Sequence, residues 1–509
     1  MKFLSHIIPV LFCGILFTSC SGDIQPSGTI SGDVDLFPDY KEVTVPCNIA
    51  PLNMSLQAEG TYRLIIRSGE KQIQVPLKKQ HFSIPIRGWH KLLESAKGQS
   101  IEMTVAKKEG SEWKSYAPFK VFVSNESIDP FMVYRLLSTR YGRYDRMGIY
   151  QRDMSSFSQT PVFENSMTGY NCVNCHTFPS GNPDKMILHL RNTYPATMLV
   201  QNGKIKKLNT KTPETIGTFV YPSWHPSENY IAFSNNLTQQ DFFFHSPNVL
   251  EVYDRKSDLV VYDLRTDEII SSPLLKGEKG METYPAFSPD GKSLFFCSAP
   301  QVQMPEEYQK AQYSLCRIDF DAESRTFGSE VDTLYNGPLN DKSVSFAKIS
   351  PDGKRIAFTL QQFGGFSEWH PDSDLYMLDL SNGEISPLDN INSSQADGYH
   401  SWSSDSRWLT FTSRRFDGNY TMPYISFVNE DGVPQKPFLL PQENPLKFYQ
   451  DMLEVFNLPE LVTSKVNVNA RAIALSAIND AGVDLTYAGP AVDDGAENGQ
   501  PMNANGSVN

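Results

Sequence analysis

The chain is 509 residues long with a formal charge of −13, and its acidic residues are scattered without any basic stripe, so nucleic acid is not an expected partner. Aromatic residues make up 12% of it, with 34 prolines and 32 glycines, a composition that suits many short strands joined by turns. Beyond the N-terminal run no stretch approaches the ~18 consecutive apolar residues that a spanning helix requires, and the length accommodates several domains or one large repeat fold.

The chain opens with Lys2, an apolar run from Phe3 to Phe17, and then Thr18-Ser19-Cys20. A charged start, a short apolar core and small residues before a cysteine read as a signal peptide over 1–19, not as a membrane span. The segment resembles a bacterial lipoprotein signal, whose cleavage leaves Cys20 as a lipidated N-terminus; ordinary secretion with Cys20 as a spare thiol is the alternative. The resemblance implies a protein held to the bacterial outer membrane, on its periplasmic or external face, through the lipid alone. Cleavage removes one lysine and leaves a charge of −14. Residues 20–33, rich in Ser and Gly, read as the tether. From 34 to 124 strand-like runs recur at 62–67, 73–77, 101–106 and 119–123, with one helical stretch at 89–96, and an immunoglobulin-like β-sandwich is expected there.

Repetition decides the architecture of residues 129–441. A hairpin at 148–165 comes first, and another at 197–208 turns at Asn202-Gly203. Four segments then share one strand-turn-strand pattern: Trp224-His225-Pro226-Ser227-Glu228-Asn229, Phe287-Ser288-Pro289-Asp290-Gly291-Lys292, Ile349-Ser350-Pro351-Asp352-Gly353-Lys354 and Trp402-Ser403-Ser404-Asp405-Ser406-Arg407. Proline fixes φ for the turn, aspartate caps its own backbone, and glycine takes the positive φ. A second hairpin follows each, as at 257–264 and 373–380, so each pair of hairpins makes a four-stranded blade. Counting the upstream hairpins predicts six blades, in an all-β chain. Beyond them, 442–488 reads as a C-terminal extension with a helix around 447–456, and the acidic, Asn- and Gly-rich residues 489–509 read as disordered.

The Ser-Pro-Asp-Gly-Lys repeats resemble those of TolB-like six-bladed β-propellers. With the lipoprotein-type signal and one Cys-x-x-Cys-His ahead of the repeats, the chain is similar to bacterial envelope proteins grouped as TolB-like or as cytochrome c biosynthesis proteins.

That motif, Cys172-Val173-Asn174-Cys175-His176, has the spacing at which two thiols bond the vinyl groups of a haem while the adjacent imidazole ligates its iron. The expectation is one covalent haem c on Cys172 and Cys175, in a loop insertion at 166–185, with His176 as proximal ligand. For the sixth position the nearest candidate is His189. Strand alternation over 186–191 puts Ile187, His189 and Arg191 on one face, where Arg191 pairs with a haem propionate. Met147, Met154, Met167 and Met186 are rival ligands, Met154 being disfavoured because it matches the packing position of Leu380 in the repeat.

A structural zinc needs four ligands and there is no second Cys-x-x-Cys, while a thioredoxin-like dithiol belongs at a helix start in a βαβ unit. Cys297 and Cys316 fall on neighbouring strands, either bridged or, the preferred reading, as buried free thiols. No Gly-x-Ser-x-Gly and no phosphate-binding glycine loop occur, and His225 and His400 lie in the repeats, where turn and core roles are expected. Enzymatic activity is therefore not the leading expectation; peroxide chemistry on the haem would need an open sixth position. The functional expectation is an envelope-anchored haem propeller that transfers electrons to a redox partner the sequence does not identify. The alternative is a protein- or glycan-binding scaffold in which the haem is structural or sensory.

Overall fold

The computed structural model describes residues 22–138, 146–243, 246 and 248–489, so the signal segment, Cys20 and the end of the tail lie outside the described residues. Six sheets of four or five strands follow one another along the chain from Phe131, and they are the six blades of a β-propeller. In blades 2 to 6 the first strand in sequence is the innermost: Cys172–Thr177, Thr218–Trp224, Gly280–Phe287, Ser343–Ile349 and Asp397–Trp402.

The repeat turns work as their residue types require. Asp290 accepts hydrogen bonds from Ser288 Oγ (2.6 Å) and Lys292 N (3.1 Å), and Asp352 does the same with Ser350 Oγ (2.6 Å) and Lys354 N (3.1 Å). The left-handed position is taken by Gly291 and Gly353 in two turns and by Glu228 and Ser406 in the other two. Indole donors then tie blades together, Trp224 Nε1 to Thr177 O (3.3 Å) and Trp402 Nε1 to Lys348 O (3.0 Å).

Blade 1 departs from the expected boundary at 441. It holds Phe131–Ser138, Met147–Asp153 and Gln159–Glu164, and its inner strand is Glu454–Val462 from the far end of the chain. The extension expected at 442–488 thus supplies the strand that closes the ring. Its helix is shorter than expected, Pro445–Gln450, started by Pro445 and by the Asn444 side chain accepting from Lys447 N. Further on, the helix Ala470–Asn479 packs Ile473, Ala474 and Ala477 into the apolar cluster between blades 1 and 2. Val483–Asp484 and Thr486–Tyr487 add parallel strands to the outer edges of blades 2 and 3.

Ahead of the ring, nine short and long strands form one hydrogen-bonded β-domain with the helix Ile86–Ser95, whose Trp89, Leu92 and Leu93 are buried. The β character expected for 34–124 is present. Its core does not end at the domain: Tyr40, Trp89 and Val121 belong to the same apolar cluster as Tyr134 and Phe456 of blade 1 and Trp408 of blade 6. Buried Arg152 adds polar ties at this corner, donating to Pro441 O (2.6 Å) and Gln442 Oε1 (3.0 Å).

Phe456 is fully buried, with its ring centroid 4.7 Å from that of Tyr134. Phe456→Ala is expected to cost about 3–5 kcal/mol, as for other buried aromatic truncations, and to lower the guanidinium midpoint. An unchanged midpoint would show that closure by this strand does not hold the ring.

Candidate functional site

Each inner strand carries a bulge at the same place. Two residues there oppose one on the neighbouring strand, between Val173 and His176, Val220 and Ser223, Thr283 and Ala286, Ser345 and Lys348, Gly398 and Ser401, and, in blade 1, Asn457 and Glu460. Five of the bulge residues, Tyr221, Tyr284, Phe346, Tyr399 and Leu458, sit at φ of 43–52°. A bulky side chain in that left-handed region costs of order 1–3 kcal/mol, and such strain gathers at functional sites. The aromatic ones form a continuous layer across the axis, with ring centroids 4.4 Å apart for Tyr221 and Tyr284, 4.3 Å for Tyr284 and Phe346 and 4.8 Å for Phe346 and Tyr399.

The Cys-x-x-Cys-His motif occupies this bulge in blade 2. The loop insertion expected at 166–185 is therefore corrected: Cys172–Thr177 is the inner strand of the blade, and the strand Lys185–Arg191, expected to be first, is second. The reason is topological, since a blade at this point in the ring needs an axial strand and the motif is the only segment between blade 1 and residue 185 long enough to provide one.

A pocket of about 380 Å³ opens at the channel mouth, and its walls include Cys175, His176, Lys348, His400 and Glu460 above the aromatic layer. His176 is 3% exposed and neither of its ring nitrogens completes a hydrogen bond. Burial pushes its pKa down to about 3, with Arg135 and Lys348 adding to the effect and the Val133 backbone opposing it, so the imidazole is neutral. His400 Nε2–H donates to Ala357 O (2.8 Å), and Nδ1 has no partner. Burial lowers its pKa to about 4.

The other expected site residues are placed differently. His176 pairs with Leu188 across the two strands, which puts it on the face of Met186, Leu188 and Leu190, toward blade 1. His189, one residue on, projects from the opposite face. It is buried, its Nδ1 is 3.0 Å from Thr197 Oγ1, its Nε2 is unpartnered, and burial pushes its pKa down to about 3. His176 and His189 are not brought to one centre by this register. Arg191 shares the face of His189 and lies opposite Cys172, whose thiol pKa is raised by burial against the pull of Arg135 and Arg191. Cys172 is outside the pocket lining.

The methionines are also engaged elsewhere: Met147 Sδ accepts from Val173 N (3.2 Å), Met154 and Met186 lie in apolar cores, and Met167 is 41% exposed. Among the described residues no group of three or more His, Cys, Asp or Glu is set to hold a metal ion. For a haem, Cys175 and His176 fit, being in the pocket with neutral, unpartnered nitrogens; Cys172 and His189 are not directed to it. Cys297 and Cys316 are free thiols. They are offset by one in the register, Cys297 opposite Leu315 and Cys316 opposite Phe296, so they face different cores.

Lys348 and Glu460 escaped the sequence reading. The available signal was their place in the repeat, two residues after the strained bulge residue, where His176, Ser223, Ala286 and Ser401 also stand.

No protein-family model matches the chain, and no curated protein matches it. Among solved structures it is similar to an oligogalacturonate lyase from Vibrio parahaemolyticus, at 13% identity over 56% of this chain and 84% of that one, with a TM-score of 0.31. It is similar also to the β-propeller domain of the Trilobed protease from Pyrococcus furiosus, at 13% identity over 68% and 96%, with a TM-score of 0.30. Against prolyl oligopeptidase B from Galerina marginata the identity is 9%, the TM-score 0.33, and the match spans 67% of this chain but only 42% of the peptidase. None of these likenesses bears on chemistry; the propeller is read from the sheets.

Glu460 accepts from Thr177 Oγ1 (2.9 Å) and Phe178 N (3.0 Å), and burial raises its pKa from 4.5 to about 7 against those bonds and Lys348. Between those two values the unfolded chain has released a proton that the native state still holds, so this group's contribution to stability falls as pH rises through the window. Glu460→Gln keeps the acceptor oxygen and is expected to flatten that slope, gaining at most about 3 kcal/mol on wild type by pH 8. Equal pH slopes for the two proteins in guanidinium titrations would refute the shift.

Proposed function

We propose that this protein is an exported, lipid-anchored β-propeller of the bacterial envelope that holds a haem at its channel mouth and passes single electrons to a protein partner. The observation that carries the reading is His176: a buried, neutral imidazole with two unpartnered nitrogens, one residue after a pocket-facing cysteine. An unmet polar ring in the interior is costly unless something binds it, and the Cys-x-x-Cys-His sequence names haem as the group that does. Cys175 would hold the haem edge and His176 its iron, and a haem so bound supplies one-electron redox chemistry. The chain's own part is to keep the imidazole deprotonated by burial and to wall the group with tyrosine and phenylalanine rings. Arg191 faces away from His176 and has no propionate role in this arrangement.

A second reading is favoured by a specific observation. The register that takes His189 to the other face of the blade, with Cys172 outside the pocket lining, also suits a channel-mouth binding scaffold for a protein or glycan, with no haem.

Exported in a host that matures c-type cytochromes, the protein is expected to show haem absorption that survives denaturation and acid-acetone extraction. Cys175→Ser should abolish the covalent link and His176→Ala should alter the spin state, whereas His189→Ala should leave the spectrum unchanged. Extractable colour, or none, would favour the scaffold. Acylated Cys20 in mass spectra of the mature N-terminus is the matching test of the anchor.

A further inference from the structure

We propose that the channel pocket is a carboxylate-binding site, with Lys348 as the anion's partner and the Tyr221, Tyr284 and Phe346 layer as the seat for a planar apolar body.

Lys348 projects from the bulge of blade 5 into a pocket walled by aromatic and proline residues. Its ammonium makes no hydrogen bond or ion pair among the described residues. Glu460 is the acid that attracts it, but Glu460 Oε1 is engaged by Thr177 and Phe178 of blade 2, and no ion pair joins the ammonium to that carboxylate. A half-buried ammonium in apolar surroundings is costly until an anion meets it.

A further donor converges on the same space. His176 is 3% exposed, lines the pocket, and has ring nitrogens without partners, so its neutral imidazole has one N–H to give; His400, whose N–H goes to Ala357 O, offers none. One cation and one imidazole N–H match the single charge and two oxygens of a monocarboxylate. A phosphate would bring more charge than one lysine meets, and the pocket has no arginine fork or glycine-rich loop to share it. The volume of about 380 Å³ lies in the range of small-molecule sites, and the stacked rings beneath offer a flat apolar surface.

The carboxylate has two sources: a propionate of the haem proposed above, or a free organic acid. Only the first rests on the haem reading.

The probe is 3-phenylpropionate, with neutral 3-phenylpropionamide as control, titrated by calorimetry into the full chain made without cytochrome c maturation, and into the haem-loaded protein. The haem-free protein is expected to bind the acid at least tenfold more tightly than the amide. Lys348→Met should lose that preference and Lys348→Arg keep most of it, with guanidinium unfolding confirming that both variants fold. If the acid binds the haem-free form and is excluded from the loaded one, the carboxylate is the haem's own, and Lys348→Met should then also shift the haem absorption band. If it binds both forms, or if no haem is ever acquired, a free acid is the ligand. Equal binding of acid and amide, or full acid binding by Lys348→Met, would overturn the proposal.

Discussion

Ring closure is the constraint on which the rest of this structure depends. Phe131–Ser138 opens blade 1 and cannot complete it alone; the inner place is filled by Glu454–Val462. Arg135 Nη2 donating to Asn457 Oδ1 (2.9 Å) joins positions 322 residues apart in sequence. Chain entropy opposes such a contact only logarithmically, about 0.6 kcal/mol for each doubling of loop length, so a well-packed strand pair overcomes it. Without this pairing the edges of blade 1 and the mouth of the channel would both lie open, and the N-terminal domain, which shares its core with blades 1 and 6, would lose one of its walls.

Closure also explains why the channel mouth is chemically mixed while the blades are not. Blade interiors repeat because each must bury the same alternating apolar faces. The residue two beyond the bulge borders the channel-mouth pocket, and the six blades fill it with His176, Ser223, Ala286, Lys348, Ser401 and Glu460. Five of the adjoining bulge residues are held at left-handed φ, all of them with large side chains. That strain is tolerated because ladder hydrogen bonds on either side over-determine the backbone. The result is a ring of unlike groups on a rigid frame, the usual place for recognition in a repeat fold.

The electrostatics of this ring are unbalanced in the direction of an incoming ligand. His176 and His400 are driven to the neutral form by burial, Lys348 has its charge disfavoured, and Glu460 is raised to about 7. Burial works against the charged form of each group, and His176 and the Nδ1 of His400 lack the hydrogen bonds that buried polar rings normally make. The neighbouring polar groups are linked by contrast: Arg135 donates to Asn457, Asn457 to Glu368, and Glu368 pairs with Arg414.

The six-bladed propeller was legible in the sequence, because Ser288-Pro289-Asp290-Gly291-Lys292 and its relatives encode their turns locally, through a fixed φ, a self-capping aspartate and a left-handed residue. The spacing of Cys172, Cys175 and His176 was equally plain, since it is a property of five adjacent residues. What tertiary structure alone decided is where those residues point. The motif on its own carries no register, and only pairing with Lys185–Arg191 sends His176 to one face and His189 to the other. Alternation along 186–191 correctly grouped Ile187, His189 and Arg191, but it says nothing about the strand beside them. The same holds for Lys348 and Glu460, separated by more than a hundred residues and joined to His176 only by a closed ring, and for residues 454–462, whose sequence reads as an extension until the unpaired edge of Phe131–Ser138 gives it a partner. Local backbone preference is written in neighbouring residues; which faces meet across the axis is set by long-range pairing, and that is a property of the whole chain.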